Sequence, residues 1–360
     1  MTNRRNFLQK IAAFSSLSLT GCGWKLANVR AATKSTHSDK LYLYTWTQYA
    51  DQKLLQTFSS QTGLQVLVDP YDSNEVMLAK LLAGGGGAYS VIYPSDYMVQ
   101  KMVEKNLLIE LNHNRLIGLD NLFPQFKNPS YDQNNRYSLP FNWGTTGLIY
   151  NSEVLQTAPE DWDYLWQNQS ILNKRMTLLN DVREVMGAVL RMLGYSYNSK
   201  EEEELKQAYN KLQQLKPAIA SFDTDAWQNQ ILSGDLVLAM CYSADAIRVI
   251  KENPKFKYVI PRSGSSLWTD TIVVPKSAPN IDGAYAWINF ILQPEVAAII
   301  SQNLNISTPN GAGFEQLPKK LQDNKNLFPE AALLEKCERI TPLGDFEEVY
   351  ERYWTQLTSS

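Results

Sequence analysis

Apolar positions along this chain switch repeatedly between a strand-like and a helical period. Leu41-Tyr42-Leu43-Tyr44-Thr45-Trp46 is an aromatic and β-branched run that reads as a strand. Leu54, Leu55 and Phe58 then recur at helical spacing and stop at Gly63. Leu64 to Val68 reads as the next strand. Asp72-Ser73-Asn74-Glu75 opens a helix carrying Met77, Leu78, Leu81 and Leu82, with Gly84 to Gly87 as its exit. Tyr89 to Tyr93 is a third strand, closed by Pro94-Ser95-Asp96-Tyr97 and followed by a helix to about Lys105. Such alternation predicts an α/β fold with a mostly parallel sheet.

Pro124 to Arg136 reads as irregular chain between this half and the next. Tyr137 to Phe141 and Leu148 to Tyr150 read as two strands. The small residues of Trp143-Gly144-Thr145-Thr146-Gly147 between them suit either a crossing between lobes or a packed junction. Leu178 and Leu179 end an apolar run, and Asn180 or Asp181 can cap a helix whose apolar positions are Val185, Val189, Leu190 and Leu193. Glu201 to Leu215 is a charged amphipathic helix. Leu236 to Tyr242 reads as a buried strand, Ala244 to Ile250 as a helix, and Tyr258 to Pro261 and Leu267 to Pro275 as strands. Ala284 to Leu292, Val296 to Gln302 and Phe346 to Leu357 complete the helices.

The chain has 360 residues, 44% of them hydrophobic, enough for two lobes with separate cores. Its first 22 residues differ in kind. Arg4, Arg5 and Lys10 precede a weakly apolar run from Ile11 to Leu19, the pattern of an export signal and too short to span a membrane. The arginine pair resembles a twin-arginine signal. Leu19-Thr20-Gly21-Cys22 resembles a bacterial lipobox, which makes Cys22 the lipidation site and residues 23–37 a tether. The alternative is cleavage near Val29-Arg30-Ala31. Without residues 1–22 the chain keeps 31 basic against 37 acidic side chains, a formal −6, which disfavours nucleic acid and favours a cationic ligand. Cys241 and Cys337 do not make a disulfide scaffold, and two histidines supply no metal-ligand cluster.

Trp46, Tyr49, Tyr97, Tyr242 and Trp268 each fall at or near the end of a predicted strand, where open α/β sheets bind ligands. Each alone reads as core packing. Together with carboxylates they suit ammonium groups on an aliphatic chain, through cation–π attraction and ion pairing. Asp181 and Glu184 share one face of a first helical turn, although the plain reading is a capped surface helix. Asp270 shares a strand face with Trp268. Ser95 reads as a pocket-edge hydroxyl or a helix cap. No nucleophile–base set and no Gly-x-Ser-x-Gly motif points to an enzyme, and His37 and His113 are poorly placed as bases. No catalytic residue, cofactor or metal is expected.

Taken in order, residues 41–49, Tyr71-Asp72-Ser73-Asn74-Glu75, Pro94-Ser95-Asp96-Tyr97, Asp181-Val182-Arg183-Glu184-Val185 and Leu267-Trp268-Thr269-Asp270 resemble the bacterial periplasmic spermidine/putrescine-binding proteins, the substrate-binding components of polyamine ABC transporters. The resemblance covers nearly all of residues 40–358. It implies a two-lobe periplasmic binding protein fold, type II-like, with a ligand cleft between the lobes. Residues 38–146 with 269–313 are expected in one lobe, and 147–268 with 314–360 in the other. It also implies that Trp46, Tyr49, Ser95, Tyr97, Asp181, Glu184, Tyr242, Trp268 and Asp270 line the cleft. The partners implied are a polyamine and the membrane subunits of an importer, for a monomer anchored in the periplasm through Cys22. Tyr242 stands where the family has tryptophan and Gln48 where an acid is known. Ile306 and Ile340 replace a tyrosine and a glutamine. Three carboxylates match a triamine, so spermidine is expected to be preferred over putrescine. A binding protein of the same fold for an amino acid derivative or ferric ion is the alternative.

Overall fold

The computed structural model describes residues 39–71 and 73–359. The export signal, the lipobox and the tether lie outside the described residues.

Nine strands among the described residues form one continuous sheet in the order β2-β1-β3-β9-β4-β7-β5-β6, with β8 also paired to β4. They are β1 (Lys40–Trp46), β2 (Gln65–Tyr71), β3 (Val91–Ile92), β4 (Ser138–Asn151), β5 (Met176–Leu178), β6 (Ile219–Phe222), β7 (Leu238–Tyr242), β8 (Phe256–Val259) and β9 (Leu267–Val273). The longer helices are α1 (Gln52–Thr62), α2 (Asn74–Leu82), α3 (Asp96–Glu104), α4 (Val182–Met192), α5 (Glu202–Leu215), α6 (Trp227–Ser233), α7 (Ser243–Glu252), α8 (Ile281–Ile291), α9 (Pro294–Leu304) and α10 (Glu347–Ser359). Local chemistry sets several of their ends. Asp51 and Ser73 accept backbone N–H groups at the starts of α1 and α2, and Gly63 closes α1 at φ 75°. Pro70 is tolerated inside β2 because β2 is an edge strand.

The expected parallel sheet holds only in part. β1 pairs in parallel with β2 and β3, and β5 with β6 and β7, whereas β4 and β9 run antiparallel to their neighbours. The two strands read from the sequence around residues 143–147 are one buried strand of 14 residues. Its first half pairs with β9 and its second with β7 and β8. Small side chains make this continuity possible. A Cβ on Gly144 would overlap the Trp268 ring and Ser243 Oγ, and one on Gly147 the Val259 carbonyl and the Tyr258 ring. β6 has no clear alternation and was not evident from the sequence.

Two lobes of alternating helix and strand surround separate cores. One core gathers Leu41, Leu43, Phe58, Trp287 and Ile288. The other gathers Leu148, Leu178, Val189, Met240 and Tyr350. Phe314, Phe328 and Leu334, expected with the second lobe, pack on the first through Phe123, Trp143 and their neighbours. Farther on, residues 338–341 are fastened to the second lobe. Glu338 accepts from Arg191 Nη1 at 3.1 Å and Ser196 Oγ at 2.6 Å, and Asn198 Nδ2 donates to the Arg339 carbonyl at 2.8 Å.

Candidate functional site

Five chain segments bring the candidate residues to strand ends. β1 delivers Trp46 and the short turn carrying Tyr49. β3 runs into Ser95 and α3, which starts with Asp96 and Tyr97. β5 runs into Asp181 and α4, β7 ends on Tyr242, and β9 carries Trp268 and Asp270.

On the first-lobe side, Asp270 is the centre. It is 6% exposed and lies opposite Asn142 in the β4–β9 ladder. Ser95 Oγ donates to its Oδ1 at 2.7 Å, and the Tyr49 hydroxyl donates to Oδ2. Asn142 Nδ2 in turn donates to the Tyr49 oxygen at 2.7 Å. Burial pushes the Asp270 carboxyl up to about 6, against the pull of the Tyr49 and Ser95 hydrogen bonds. Asn74 Nδ2 lies 3.1 Å from both Ser95 Oγ and Tyr97 Oη, and Tyr97 donates to Glu75 Oε1 at 3.1 Å. Trp46 packs on Tyr71, with ring centroids 4.7 Å apart.

On the second-lobe side, Asp181 Oδ1 caps α4 by accepting Arg183 N at 2.9 Å and Glu184 N at 3.0 Å. The capping reading of this residue holds, and the Tyr242 hydroxyl also reaches its carboxylate. Glu184 is 2% exposed, so it is no surface acid. Ser266 Oγ donates to its Oε1 at 2.9 Å and Tyr197 Oη to its Oε2 at 3.0 Å. Burial, then the Asp181 carboxylate, pushes Glu184 up to about 8, with the hydroxyls of Ser266, Tyr197 and Thr146 opposing. Burial also raises Asp181. The Tyr242 and Trp268 rings meet edge to face at 5.8 Å.

The two groups face one another. Burial raises the Tyr97 phenol, and the Glu75 and Asp181 carboxylates add to it. Tyr242 is raised by burial and then by Asp181, Glu184, Tyr97 and Asp245. A carboxylate has about four lone-pair sites, so Asp270 and Glu184 can each accept from an ammonium beside their present donors. Burial opposes the charge of these carboxyls, so an ammonium paired with them draws them to the ionised form at the cost of releasing a proton. Aromatic faces between them suit methylene groups. Trp46 Nε1, Trp268 Nε1 and Asn142 Oδ1 are buried without a protein partner, and the last can accept from an ammonium.

Two residues were missed in the sequence. Asp245 lies in the first turn of α7, three residues beyond Tyr242, paired with Arg248 and with 13% of its side chain exposed. Burial pushes it up to about 6, against the Arg248 charge. Its position after β7 parallels that of Asp181 and Glu184 after β5, a signal that was available. Asn142 was hidden in the interior of β4. Gln48 is exposed, whereas Ile306 is 1% exposed in the first core and Ile340 is 9% exposed in the second.

A family profile described as bacterial extracellular solute-binding protein matches residues 53–329. The spermidine/putrescine-binding periplasmic protein of Salmonella typhimurium is 34% identical over 333 residues, 92% of this chain and 95% of its own. A solved spermidine/putrescine ABC transporter protein of Listeria monocytogenes is 36% identical with a TM-score of 0.83, covering 89% of this chain and 99% of its own. The Tp0655 lipoprotein of Treponema pallidum is 29% identical with a TM-score of 0.80, covering 89% of this chain and all of its own. With this fold, and with acids and aromatics gathered at its strand ends, the chain belongs to the bacterial extracellular solute-binding proteins, in the family of the spermidine/putrescine-binding periplasmic proteins.

Proposed function

We propose that this protein binds a polyamine between its two lobes, prefers spermidine to putrescine, and presents it to the membrane subunits of an ABC importer. It is a transport component and not an enzyme. The observation that carries the ligand class is the set of buried carboxyls, Glu184 and Asp270 foremost, gathered beside half-buried aromatic rings. Desolvating an ammonium is costly unless it is paired and hydrogen-bonded. Asp181, Glu184 and Asp270 take that role, with Ser95 and Tyr49 orienting Asp270. Trp46, Tyr97, Tyr242 and Trp268 enclose the carbon chain. Asp245 supplies a further anion beside Tyr242. Three or more acids match a triamine, whereas a diamine leaves one of them without a cation.

The lobe division follows the two cores, with crossings near residues 143–147 and 268–269. The packing of Phe314, Phe328 and Leu334 supports a third crossing near residues 334–338, later than the Asn310–Phe314 junction. The lipobox and the lipoprotein of Treponema pallidum support lipidation at Cys22 and an anchor on the inner membrane. Mass spectrometry of the mature amino terminus tests this, and an unmodified terminus downstream of Cys22 overturns it.

Binding is tested by calorimetric titration of the chain lacking residues 1–22 with diamines, triamines, amino acids and ferric ion. Glu184→Gln and Asp270→Asn are each expected to weaken spermidine binding by roughly 1.5–3 kcal/mol, the scale of a charged hydrogen bond. Unchanged affinity in both variants, with melting curves like the parent's, rejects this set of anions.

A further inference from the structure

The loop between α4 and α5 carries a tyrosine that no strand end or motif singles out. Tyr197 is fully buried, and its ring lies across α4 at Gly187, where any Cβ would overlap it. Its backbone N–H donates to Glu338 Oε2 at 3.2 Å, so the main chain of the loop is held from the far side. Its hydroxyl lies 3.0 Å from both the Glu184 carbonyl and Glu184 Oε2. One phenolic proton therefore has two acceptors in reach, on the same residue.

We propose that Tyr197 is a positioning residue for ligand binding: its hydroxyl holds Glu184 Oε2 in place and favours the ionised carboxylate that an ammonium group needs. The inference rests on reading Glu184 as an amine partner. Hydrogen bonds to the charged form favour it. An ionised Glu184 draws the phenolic proton from the carbonyl to Oε2, and a protonated Glu184 gives it less reason to turn. The Ser266 hydroxyl does the same for Oε1 at 2.9 Å, but it also lies 2.8 Å from Thr146 Oγ1. Tyr197 is thus the donor from outside the two crossing segments. Among the described residues, four titratable groups face Glu184. They are Asp181 from the α4 cap, Tyr197 from the loop, Tyr242 from the end of β7 and Tyr258 from β8. The Arg183 guanidinium on the same helix is engaged elsewhere, with Asn198 Oδ1 at 2.7 Å and the Thr341 carbonyl at 3.0 Å.

The consequence is a pH-dependent affinity. With Glu184 pushed up to about 8, an ammonium arriving at neutral pH meets the acid form and must displace a proton. Affinity then falls as pH falls below about 8. Removing the phenolic hydroxyl raises the carboxyl further, so the penalty is largest at low pH and fades once the carboxyl ionises in both proteins.

The test is titration of spermidine into the parent, Tyr197→Phe, Glu184→Gln and the double variant from pH 6 to 9. Phenylalanine keeps the ring on Gly187. Ratios of affinity between proteins at each pH cancel the titration of spermidine itself. Tyr197→Phe is expected to weaken binding roughly tenfold near pH 6.5 and by much less at pH 9. In the Glu184→Gln background the same change is expected to have no effect. A loss that does not vary with pH, or none at all while Glu184→Gln weakens binding, overturns the positioning role alone. Unchanged spermidine binding in Glu184→Gln overturns the amine-partner reading, and this inference with it.

Discussion

At the scale of residues, the proposed site is a set of carboxyls whose environment opposes their charge. Glu184 is pushed up to about 8 and Asp270 and Asp245 up to about 6, in each case first by burial. A carboxyl whose folded value lies above its unfolded one favours the fold most when it is protonated. The contribution is fully present below the ordinary carboxylate range. It is lost as pH rises, through about 6 for Asp270 and about 8 for Glu184. We therefore expect these groups to lower the melting temperature of the ligand-free protein between pH 5 and pH 9. Glu184→Gln should flatten that slope, and saturating spermidine should offset it. Equal slopes in parent and variant would show that Glu184 is already ionised when the cleft is empty. The strand-end positions of Trp46, Tyr97, Asp181 and Trp268 were legible because strand ends can be located from local pattern. Tyr197 and Asn142 were not. What they do depends on partners 13 and 93 residues away, which no local period records.

At the scale of elements, β4 is the piece that the sequence half concealed. Gly144 and Gly147 interrupt the apolar run and read as a break, yet the backbone stays extended through both. The missing side chains make room for Trp268, Ser243 and Tyr258. Gly144→Val should force the Trp268 ring off its position against Tyr242. A cost of about 1–3 kcal/mol in stability is expected, the range for overpacking, together with weaker spermidine binding. Denaturant melts and titration check the two effects separately. A variant that melts early yet binds like the parent would remove Trp268 from the ligand's surroundings. The helices were easier, since Asp51, Ser73 and Asp181 act as the caps that their sequence positions advertise. The return of the chain near residue 334 was hidden because Phe314 and Phe328 find their partners only in the folded first lobe.

At the scale of the whole molecule, the carboxyl-terminal segment ties the lobes together. Arg339 Nη1 donates to Asp96 Oδ2 at 2.7 Å and to Thr269 Oγ1 at 2.6 Å, while its own carbonyl is held by Asn198. Lys101 at the other end of α3 pairs with Glu347 at 2.8 Å. The first ion pair is buried, with 2% of the Asp96 side chain exposed, and the second is half-exposed. Asp96→Ala leaves a guanidinium without its counter-ion and is expected to cost about 3–5 kcal/mol, whereas Glu347→Gln should cost less than about 1 kcal/mol. Chemical denaturation of the two variants checks the ranking, and equal losses would place Arg339 in contact with water. The continuous sheet bears on how such a molecule opens. A door swings on slack joints, but here every strand from β2 to β6 belongs to one hydrogen-bonded ribbon. Opening must then flex the ribbon about β4 and β9 as a leaf spring flexes, spreading the deformation over many small changes of twist. The amides of Thr145 and Thr146, bonded to Ser243 Oγ and to the Ser266 carbonyl, sit where such a spring bends. They should exchange with solvent deuterium slowly whether or not a ligand is present, as the midpoint of a spring keeps its leaves together while its ends travel.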